Sequence, residues 1–501
     1  MRRGMGPAAG LLVLALGAAR AGAGGLAERG TPAGAVRDLA SLCREAEAKG
    51  GMRLGLWARR LPSGRVLVSR RAEEPFLPAS NMKLFTAWLF LETFGVAPTS
   101  RTRFYLVGVG KARRLRLRTE GDPTRAREFG LAEGSYFRKL REALLARRID
   151  LLPGGVEWNG EDWPGPDRPP DWPASIRHFS YAPPTGGLVL DQGKLRVRLD
   201  PVGRTKGACP FTLQPRGIRL PVKGRVLVTT DRRAGSRPFV SIGPKGLVLG
   251  QKIWNRRAAV FTLAQRDPEE VFLQVLGYEC GLSGIRLGRA RSDRTSGERG
   301  TLLLEEKHDL LPALEAMLRE SENFQAEQAL RLLAFRKTGK GDWRTGRSLL
   351  EKSFERLFER RGTWVVGDGS GLSKRNRISP SGLGTLLSEM PKSPRFPALW
   401  TRLAANRGPG TLKRRLSDLP PGRVRAKTGT LNEACALSGF LVEGGRPVLA
   451  FVILMQRKEG KGGRAWSVRK ARKYQDEIVR ILAGRRDAGG ASRRGTNRGR
   501  G

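Results

Sequence analysis

Three short motifs, far apart in the chain, carry residues that together could transfer an acyl group. Ser80 and Lys83 form an S-x-x-K motif, Ser321 and Asn323 form an S-x-N motif, and Lys427-Thr428-Gly429 is a K-T-G tripeptide. A serine hydroxyl is a weak nucleophile at neutral pH, and a neighbouring amine activates it by accepting its proton. The motifs therefore predict covalent catalysis with Ser80 as the nucleophile and Lys83 as the general base.

The S-x-x-K motif leads into a predicted helix over residues 81–94, so Ser80 and Lys83 share one helical face. Burial and nearby cations would lower the pKa of Lys83 and let it accept the proton. The helix N-terminus adds backbone N–H groups and a positive dipole end near the developing oxyanion. Ser467 and Lys470 have the same spacing, however, on a helix that looks exposed. An ordinary N-cap serine with a solvated lysine is therefore the alternative interpretation of this motif.

The S-x-N motif precedes a helical pattern over residues 324–335. In the catalytic interpretation Ser321 relays a proton between Lys83 and the leaving amine, and the Asn323 amide positions Lys83 and the substrate backbone. In the structural interpretation Ser321 only caps the helix that follows.

The K-T-G motif lies in residues 423–431, whose alternation predicts a strand. On a strand that borders a cleft, Lys427 would supply positive charge and Thr428 a hydroxyl for a substrate carboxylate. Gly429 would leave room for the peptide to approach. The backbone N–H of Thr430 would be the second oxyanion donor, beside that of the nucleophilic serine.

A second K-T-G tripeptide, Lys337-Thr338-Gly339, is a competitor for this assignment. It follows the end of a helical pattern and runs into residues 340–342, which predicts a helix stop and a loop. Neither tripeptide is specific alone. The order of the three motifs, and the type of element on which each lies, favour Lys427.

The elements that must position these residues fall into two kinds. Helices alternate with dense apolar strands in the outer parts of the chain, whereas short strands with Gly and Pro turns dominate residues 101–289, for example at 187–199. The outer elements are a helix at 36–48, a hairpin at 52–59 and 65–69, helices at 81–94, 310–318 and 321–335, strands at 424–427, 436–442 and 447–456, and a helix at 465–482. This pattern predicts one α/β catalytic domain, residues 35–100 and 290–483, split by a mostly β insert at 101–289.

The chain ends have their own character. Residues 1–23 begin with Met-Arg-Arg, continue through a short apolar stretch at 8–18 and end in Ala-x-Ala patterns, which predicts a signal peptide and therefore export. The apolar run is interrupted by Arg20 and is too short to span a bilayer, so no transmembrane segment is expected in the mature chain. Residues 484–501 are rich in Arg and Gly and predict a disordered basic tail.

The cysteines do not predict a metal site. Cys43, Cys209, Cys280 and Cys435 are far apart and lack the spacing of metal ligands. Export permits disulfides, but the sequence leaves the pairing of the four open.

The charge is strongly positive. The net charge is +46, from 93 Lys and Arg against 47 Asp and Glu, and the excess is spread through every segment. It would attract polyanions without specifying one. A non-catalytic protein that binds cell-wall polyanions is therefore an alternative, whereas no nucleic-acid motif supports a specific nucleic-acid partner.

Beyond the three motifs, several stretches resemble one family of enzymes. They are residues 77–87, 321–327, 367–373, 427–431 and 437–440 in the outer parts, and 120–124 and 181–184 in the insert. They are similar to the class C penicillin-binding D-Ala-D-Ala carboxypeptidases, and the resemblance spans about residues 35–482. It implies a penicillin-binding, serine β-lactamase-like transpeptidase domain that carries inserted domains.

The resemblance also implies the reaction. Ser80 would attack the carbonyl of the penultimate D-alanine of a peptidoglycan peptide, the terminal D-alanine would leave, and water would hydrolyse the acyl-enzyme. Penicillins and other β-lactams would acylate the same serine, in the periplasm or cell envelope, with no metal and no cofactor. Neither His178 nor His308 has the context of a Ser-His-Asp triad.

Two alternatives within this chemistry stay open. The sequence does not decide between a carboxypeptidase, an endopeptidase that cuts crosslinks, and an enzyme that does both. A serine β-lactamase would need a specific deacylating base, which the sequence does not show.

Overall fold

The structure is a computed structural model that describes residues 33–235, 237–292, 300–358 and 362–484 of the chain. The predicted signal peptide, and all but the first residue of the predicted tail, lie outside the described residues. Within these ranges, no helix combines the length and apolar character needed to cross a membrane.

Ten α-helices are described, and most of them flank the ends of the chain rather than its middle. They are α1 (Ala33–Lys49), α2 (Met82–Phe94), α3 (Arg138–Ala146), α4 (Pro268–Leu282), α5 (Leu311–Glu315), α6 (Asn323–Thr338), α7 (Trp343–Leu357), α8 (Pro380–Glu389), α9 (Phe396–Trp400) and α10 (Val468–Leu482).

The strands are concentrated in the middle of the chain and near its C-terminal end. They are β1 (Met52–Arg60), β2 (Val66–Arg70), β3 (Thr99–Val107), β4 (Arg114–Thr119), β5 (Leu151–Leu152), β6 (Val156–Trp158), β7 (Lys194–Leu199), β8 (Phe211–Gln214), β9 (Val222–Gly224), β10 (Leu227–Thr229), β11 (Phe239–Gly243), β12 (Gly246–Gly250), β13 (Lys252–Trp254), β14 (Ala259–Ala264), β15 (Arg286–Leu287), β16 (Ala290–Ser292), β17 (Thr301–Asp309), β18 (Trp364–Val365), β19 (Arg377–Ile378), β20 (Ala404–Ala405), β21 (Val424–Leu431), β22 (Ala434–Glu443) and β23 (Arg446–Arg457).

A six-stranded antiparallel sheet in the order β2-β1-β23-β22-β21-β20 joins the two ends of the chain. Its strands β22 and β23 are almost wholly buried, as their apolar sequences require. Helices α1 and α10 cover one face around Leu54, Ile453 and Ile478. Helices α2, α6 and α8 cover the other face, in the core that also contains Phe85 and Leu330. The catalytic motifs lie on this second face, at strand β21.

The insert contains several small sheets and two helices. A mixed five-stranded sheet in the order β16-β6-β4-β3-β17 packs into the same core as α2, while β7 to β14 surround a separate apolar cluster around Val197, Leu247 and Ile253. Helix α4 begins at Pro268, and the Asp267 side chain caps it by accepting a hydrogen bond from the Glu270 N–H.

Some elements differ from the sequence-based expectations. The segment 187–199 is not one strand, because a turn at Asp191–Gly193 with left-handed backbone at Asp191 and Gln192 interrupts it before β7. Helix α5 does not continue regularly to Leu318, since a π-helical turn at Ala316–Glu320 follows it. Strand β17 pairs with β3 of the insert. The division at residue 289 stays a prediction, and this pairing favours a boundary after Asp309.

The four cysteines are buried and form no disulfide. The pairing that the sequence left open is therefore absent from the structure, and the fold is held by packing and hydrogen bonds.

Candidate active site

Ser80 lies in a short 3-10 turn, Ala79–Asn81, that leads directly into α2. The preceding Ala79 has a left-handed backbone, with φ of 45°, which is uncommon for a residue with a side chain. The Asn81 side chain donates a hydrogen bond of 3.0 Å to the Lys427 carbonyl, so the turn is fastened to β21. The local strain is thus held in place by a contact with the strand that carries the K-T-G motif.

Lys83 is completely buried one turn further along. Its Nζ lies 3.1 Å from Ser80 Oγ, 2.6 Å from Asn323 Oδ1 and 2.7 Å from the Ser370 carbonyl oxygen. An ammonium has three N–H donors and matches these three acceptors. A neutral amine keeps two of these bonds and can turn its lone pair toward the serine hydroxyl. The same geometry therefore serves both protonation states.

Burial lowers the pKa of Lys83 from 10.5 to about 8. The carboxylates of Asp368, Glu327 and Glu322 act in the opposite direction but do not cancel the effect of burial. An appreciable fraction of Lys83 is therefore neutral at a mildly alkaline pH, which is the state that can accept a proton.

Ser321 does not cap a helix. Helix α6 begins at Asn323, and its N-cap position is Glu322, whose side chain makes no capping bond. Ser321 instead follows the π-helical turn with a left-handed backbone, φ of 68°. Its Oγ accepts a hydrogen bond of 2.8 Å from Lys427 Nζ. The strained backbone thus directs this hydroxyl to the second buried lysine of the site.

Asn323 connects the catalytic lysine to the insert. Its Oδ1 accepts from Lys83, as given above, and its Nδ2 donates a hydrogen bond of 2.8 Å to the Tyr181 carbonyl. Both ends of the amide are occupied, so its orientation is fixed.

Lys427 is also completely buried. Its Nζ donates to Ser321 Oγ and, at 3.0 Å, to the Thr428 carbonyl. Burial, followed by the charge of Lys83, holds the pKa of Lys427 well below its usual value. A bound carboxylate would supply the missing opposite charge and favour the ammonium form.

The edge of β21 beyond Ala426 is open. Strand β20 pairs only with Arg425 and Ala426, and the Val424 backbone also faces that edge, where its carbonyl accepts from the Asn406 N–H. Backbone groups of alternate residues point to the same edge of a strand. The N–H groups of Thr428 and Thr430 therefore face this edge, where no strand in the described ranges pairs with them.

Gly429 lies against the nucleophile turn. A Cβ atom at this position would come within 2.9 Å of the Ser80 backbone nitrogen and 3.0 Å of the Ala79 Cβ and the Pro78 carbonyl oxygen. The K-T-G glycine is thus needed for the close approach of β21 to Ser80, in addition to any role in admitting the peptide.

The threonine hydroxyls have partners outside the motif. Thr428 Oγ1 lies 2.9 Å from Thr411 Oγ1, and Thr430 Oγ1 accepts a hydrogen bond of 3.2 Å from Arg472. Neither partner was a candidate from the sequence, because neither lies in a motif.

Three further residues beneath Lys83 were not among the sequence-based candidates. They are Ser370, whose carbonyl accepts from Lys83, and the buried carboxylates Asp368 and Glu327. Residues 367–373 are a family marker by resemblance, but their composition only predicts a glycine loop. Glu327 falls one helical turn after Asn323, and this i, i+4 spacing is the signal that could have identified it.

Both competing motifs have structural roles. Ser467 is the N-cap of α10 and accepts a hydrogen bond from the Lys470 N–H. Lys337 is exposed in the last turn of α6, and Gly339 ends that helix with a left-handed backbone. The helix stop predicted there is present.

The two histidines also lie outside the constellation. His308 pairs with Asp122, and the His178 ring contacts the Phe179 ring, with 3.9 Å between centroids.

Comparison with known proteins gives a consistent assignment. Residues 35–474 match the sequence profile of the D-Ala-D-Ala carboxypeptidase 3 (S13) family. The chain is 26% identical over 432 residues to a D-alanyl-D-alanine carboxypeptidase of Actinomadura sp., covering 79% of this chain and 76% of that protein. It is 21% identical over 419 residues to a D-alanyl-D-alanine carboxypeptidase of Haemophilus influenzae, covering 80% and 85%.

The fold is likewise that of a solved relative. The crystal structure of penicillin binding protein 4 from Haemophilus influenzae superposes with a TM-score of 0.74 at 19% identity, covering 89% of this chain and 99% of that one. The predicted fold class, an α/β penicillin-binding domain with an insert, is confirmed. Because the family match covers most of the sequence, the chain belongs to the D-Ala-D-Ala carboxypeptidase 3 (S13) family, a family of serine-type D-Ala-D-Ala carboxypeptidases.

Proposed function

We propose that this chain cleaves D-Ala-D-Ala ends of peptidoglycan stem peptides through an acyl-enzyme on Ser80. The observation that carries the proposal is the buried Lys83, whose Nζ lies 3.1 Å from Ser80 Oγ and whose pKa is lowered to about 8. A serine and a desolvated amine in hydrogen-bond contact are the parts required for nucleophilic catalysis without histidine.

In the acylation step, neutral Lys83 accepts the proton of Ser80 while its two N–H bonds to Asn323 and Ser370 persist. Ser80 Oγ attacks the carbonyl carbon of the penultimate D-alanine. The negative charge on the carbonyl oxygen is stabilised by the backbone N–H groups of Ser80 and Thr430.

The leaving amine needs a proton, which Lys83 now carries. Ser321 relays this proton to the amine, and the terminal D-alanine departs with its C–N bond broken. Lys427 and Thr428 bind the carboxylate of that D-alanine, because Lys427 is a buried amine without a carboxylate partner among the described contacts. Water then attacks the ester, transfers its proton to Lys83, and releases Ser80.

The same site accommodates two related substrates. An endopeptidase reaction differs only in the group attached to the leaving amine, which would be the side chain of a diamino acid. A β-lactam acylates Ser80 by the same attack, and its ring amide takes the place of the scissile bond. The predicted signal peptide places this activity in the periplasm or cell envelope.

Covalent labelling tests the proposal. A fluorescent penicillin should label the wild-type chain, and peptide mapping should locate the adduct on Ser80. Ser80→Ala should abolish labelling, whereas the matched variant Ser467→Ala, which alters the competing S-x-x-K motif, should be labelled at the wild-type rate.

Product analysis distinguishes the two peptidase activities. Mass spectrometry of defined muropeptide monomers and crosslinked dimers should detect released D-alanine that depends on Ser80. An adduct on Ser467, or a chain that is neither labelled nor active, would exclude the proposed mechanism. Binding to anionic wall polymer that survives Ser80→Ala and weakens steeply with salt would instead favour the polyanion-binding alternative.

A further inference from the structure

The position of Lys83 depends on a loop carbonyl. Ser370 belongs to neither a helix nor a strand, yet its carbonyl oxygen accepts one of the hydrogen bonds of Lys83 Nζ. A peptide group in a loop can rotate unless its N–H is also fixed. The partner of the Ser370 N–H therefore matters for the geometry of the catalytic lysine.

That partner is Glu327, which is completely buried on α6. Its Oε1 accepts a hydrogen bond of 2.7 Å from the Ser370 N–H, and its Oε2 accepts one of 2.8 Å from Trp343 Nε1. Glu327 follows Asn323 by one helical turn, so both side chains project from one face of α6. Asn323 contacts Lys83 directly, and Glu327 contacts it through the Ser370 peptide.

Asp368 fixes the rest of the loop by separate contacts. Its carboxylate accepts from the Gly371 and Ser373 N–H groups at 2.7 and 2.6 Å, from Asn376 Nδ2 at 2.8 Å and from Trp172 Nε1 at 2.9 Å. These contacts determine the course of the loop, but none of them involves the Ser370 N–H. Only Glu327 holds the peptide group that faces Lys83.

We propose that Glu327 is a positioning residue for catalysis, which fixes the Ser370 carbonyl on Lys83 and contributes negative charge beneath the catalytic amine. This inference rests on the proposed function, since it assigns Lys83 as the base. Glu327 does not touch the substrate in this scheme and acts only through Lys83.

The charge of Glu327 gives the proposal a distinctive signature. The charged groups that act on Lys83 are Asp368, Glu327 and Glu322, which raise its pKa against burial, while Lys427 is the nearby cation. Burial, followed by the charge of Asp368, raises the pKa of Glu327 itself to about 8. Removing the Glu327 charge should therefore lower the pKa of Lys83 further.

The test is the pH profile of Ser80 acylation by fluorescent penicillin in Glu327→Gln. Glutamine keeps the size but replaces one acceptor oxygen with a donor, which must face the N–H of either Ser370 or Trp343. We expect acylation to slow by about 10- to 100-fold, as for a misplaced catalytic group. The acid limb of the profile should also move to lower pH, because Lys83 loses a stabilising negative charge.

Two further variants separate positioning from general damage. Gln328→Leu removes a buried polar side chain of α6 that binds the Gly121 and Gly186 carbonyls and does not contact Lys83. It should lower the melting temperature without moving the acid limb. Trp343→Phe removes one donor to Glu327 and keeps the carboxylate, so it should shift the limb in the same direction but less, even if Glu327→Gln does not fold.

The outcomes are distinguishable. A wild-type chain that penicillin does not label on Ser80 would contradict the proposed function. A labelled wild type, with Glu327→Gln and Trp343→Phe both keeping its rate and its acid limb, would overturn the role of Glu327 alone. Slower acylation with an unmoved limb, matched by Gln328→Leu, would also overturn it, since that result describes a purely structural residue.

Discussion

At the scale of single residues, the unusual feature is that two amines are completely buried in one hydrogen-bonded site. Lys83 and Lys427 each lower the charge that the other can carry, and neither forms an ion pair in direct contact among the described residues. A buried charge without a partner is costly. The site is therefore arranged to receive two things, a proton on Lys83 and a carboxylate at Lys427.

The pH dependence follows from this arrangement. The pKa of Lys83 is depressed from 10.5 to about 8, so the neutral base becomes more abundant as pH rises toward and past that value. We expect the second-order rate constant of penicillin acylation to increase through the pH range around 8 and then level off. Stopped-flow labelling across pH measures this limb. A rate that is flat from acidic to alkaline pH would show that Lys83 is not the titrating base.

The duplicated K-T-G tripeptide provides an internal control for Lys427. We expect Lys427→Ala to lose about 30- to 1000-fold in kcat/KM, because a charge-assisted contact with a carboxylate contributes about 2 to 4 kcal/mol. Lys337→Ala alters an exposed side chain and should change stability by less than about 0.5 kcal/mol, with nearly full activity. D-alanine release and thermal melting of both variants make the comparison. Equal losses would mean that Lys427 has no special place in the site.

At the scale of elements, catalysis depends on how closely β21 approaches the start of α2. Asn81 ties the two by its bond to the Lys427 carbonyl, and Gly429 permits the distance. The open edge of β21 then presents N–H groups next to Ser80. Strand and helix start thus build the oxyanion site jointly, and neither could form it alone.

A glycine substitution tests this approach. Gly429→Ala places a Cβ atom 2.9 Å from the Ser80 nitrogen, so either the strand or the nucleophile turn must move. We expect acylation to slow by about 100-fold, the loss typical of a 1 Å displacement in a catalytic site. Gly281→Ala on α4 is the matched control, because nothing lies within 4 Å of its Cβ position. That variant should acylate normally and gain roughly 0.5 to 1 kcal/mol of stability. Normal acylation in Gly429→Ala would contradict the close approach.

At the scale of the whole molecule, the insert takes part in building the site. The Tyr181 carbonyl accepts from Asn323, and Trp172 donates to Asp368, so two residues of the insert contact the catalytic network. The insert also shares an apolar core with α2 and α6. The site is therefore a product of both parts of the chain.

The cysteines allow a prediction about the whole molecule. All four are buried and unpaired, and burial raises the pKa of Cys43 to about 11 and that of Cys280 to about 12. Thiolates are the reactive form, so buried neutral thiols react slowly. We expect titration with a thiol reagent to detect no fast-reacting cysteine in the native protein and four after denaturation. Fewer than four under non-reducing denaturation would reveal a disulfide and contradict the described state.

The sequence alone determined the parts of the site that are local. Ser80 and Lys83 are three residues apart on one helix, Ser321 and Asn323 are two apart, and the K-T-G motif is continuous, so spacing was sufficient to predict them. Apolar patterning similarly predicted α2, α6, β22 and β23 to within a few residues, and the family assignment is confirmed. Short-range geometry requires no knowledge of the fold.

Tertiary structure alone decided what surrounds the catalytic lysine. Lys83 meets Asn323 across 240 positions and the Ser370 carbonyl across 287, and the latter is a backbone group that no residue type reveals. The buried carboxylates of Glu327 and Asp368, the left-handed Ser321, and the Tyr181 and Trp172 contacts from the insert depend on how distant segments pack. Such contacts arise because folding buries these polar groups together and each must then find a partner, a condition set by the packed core and not by local sequence.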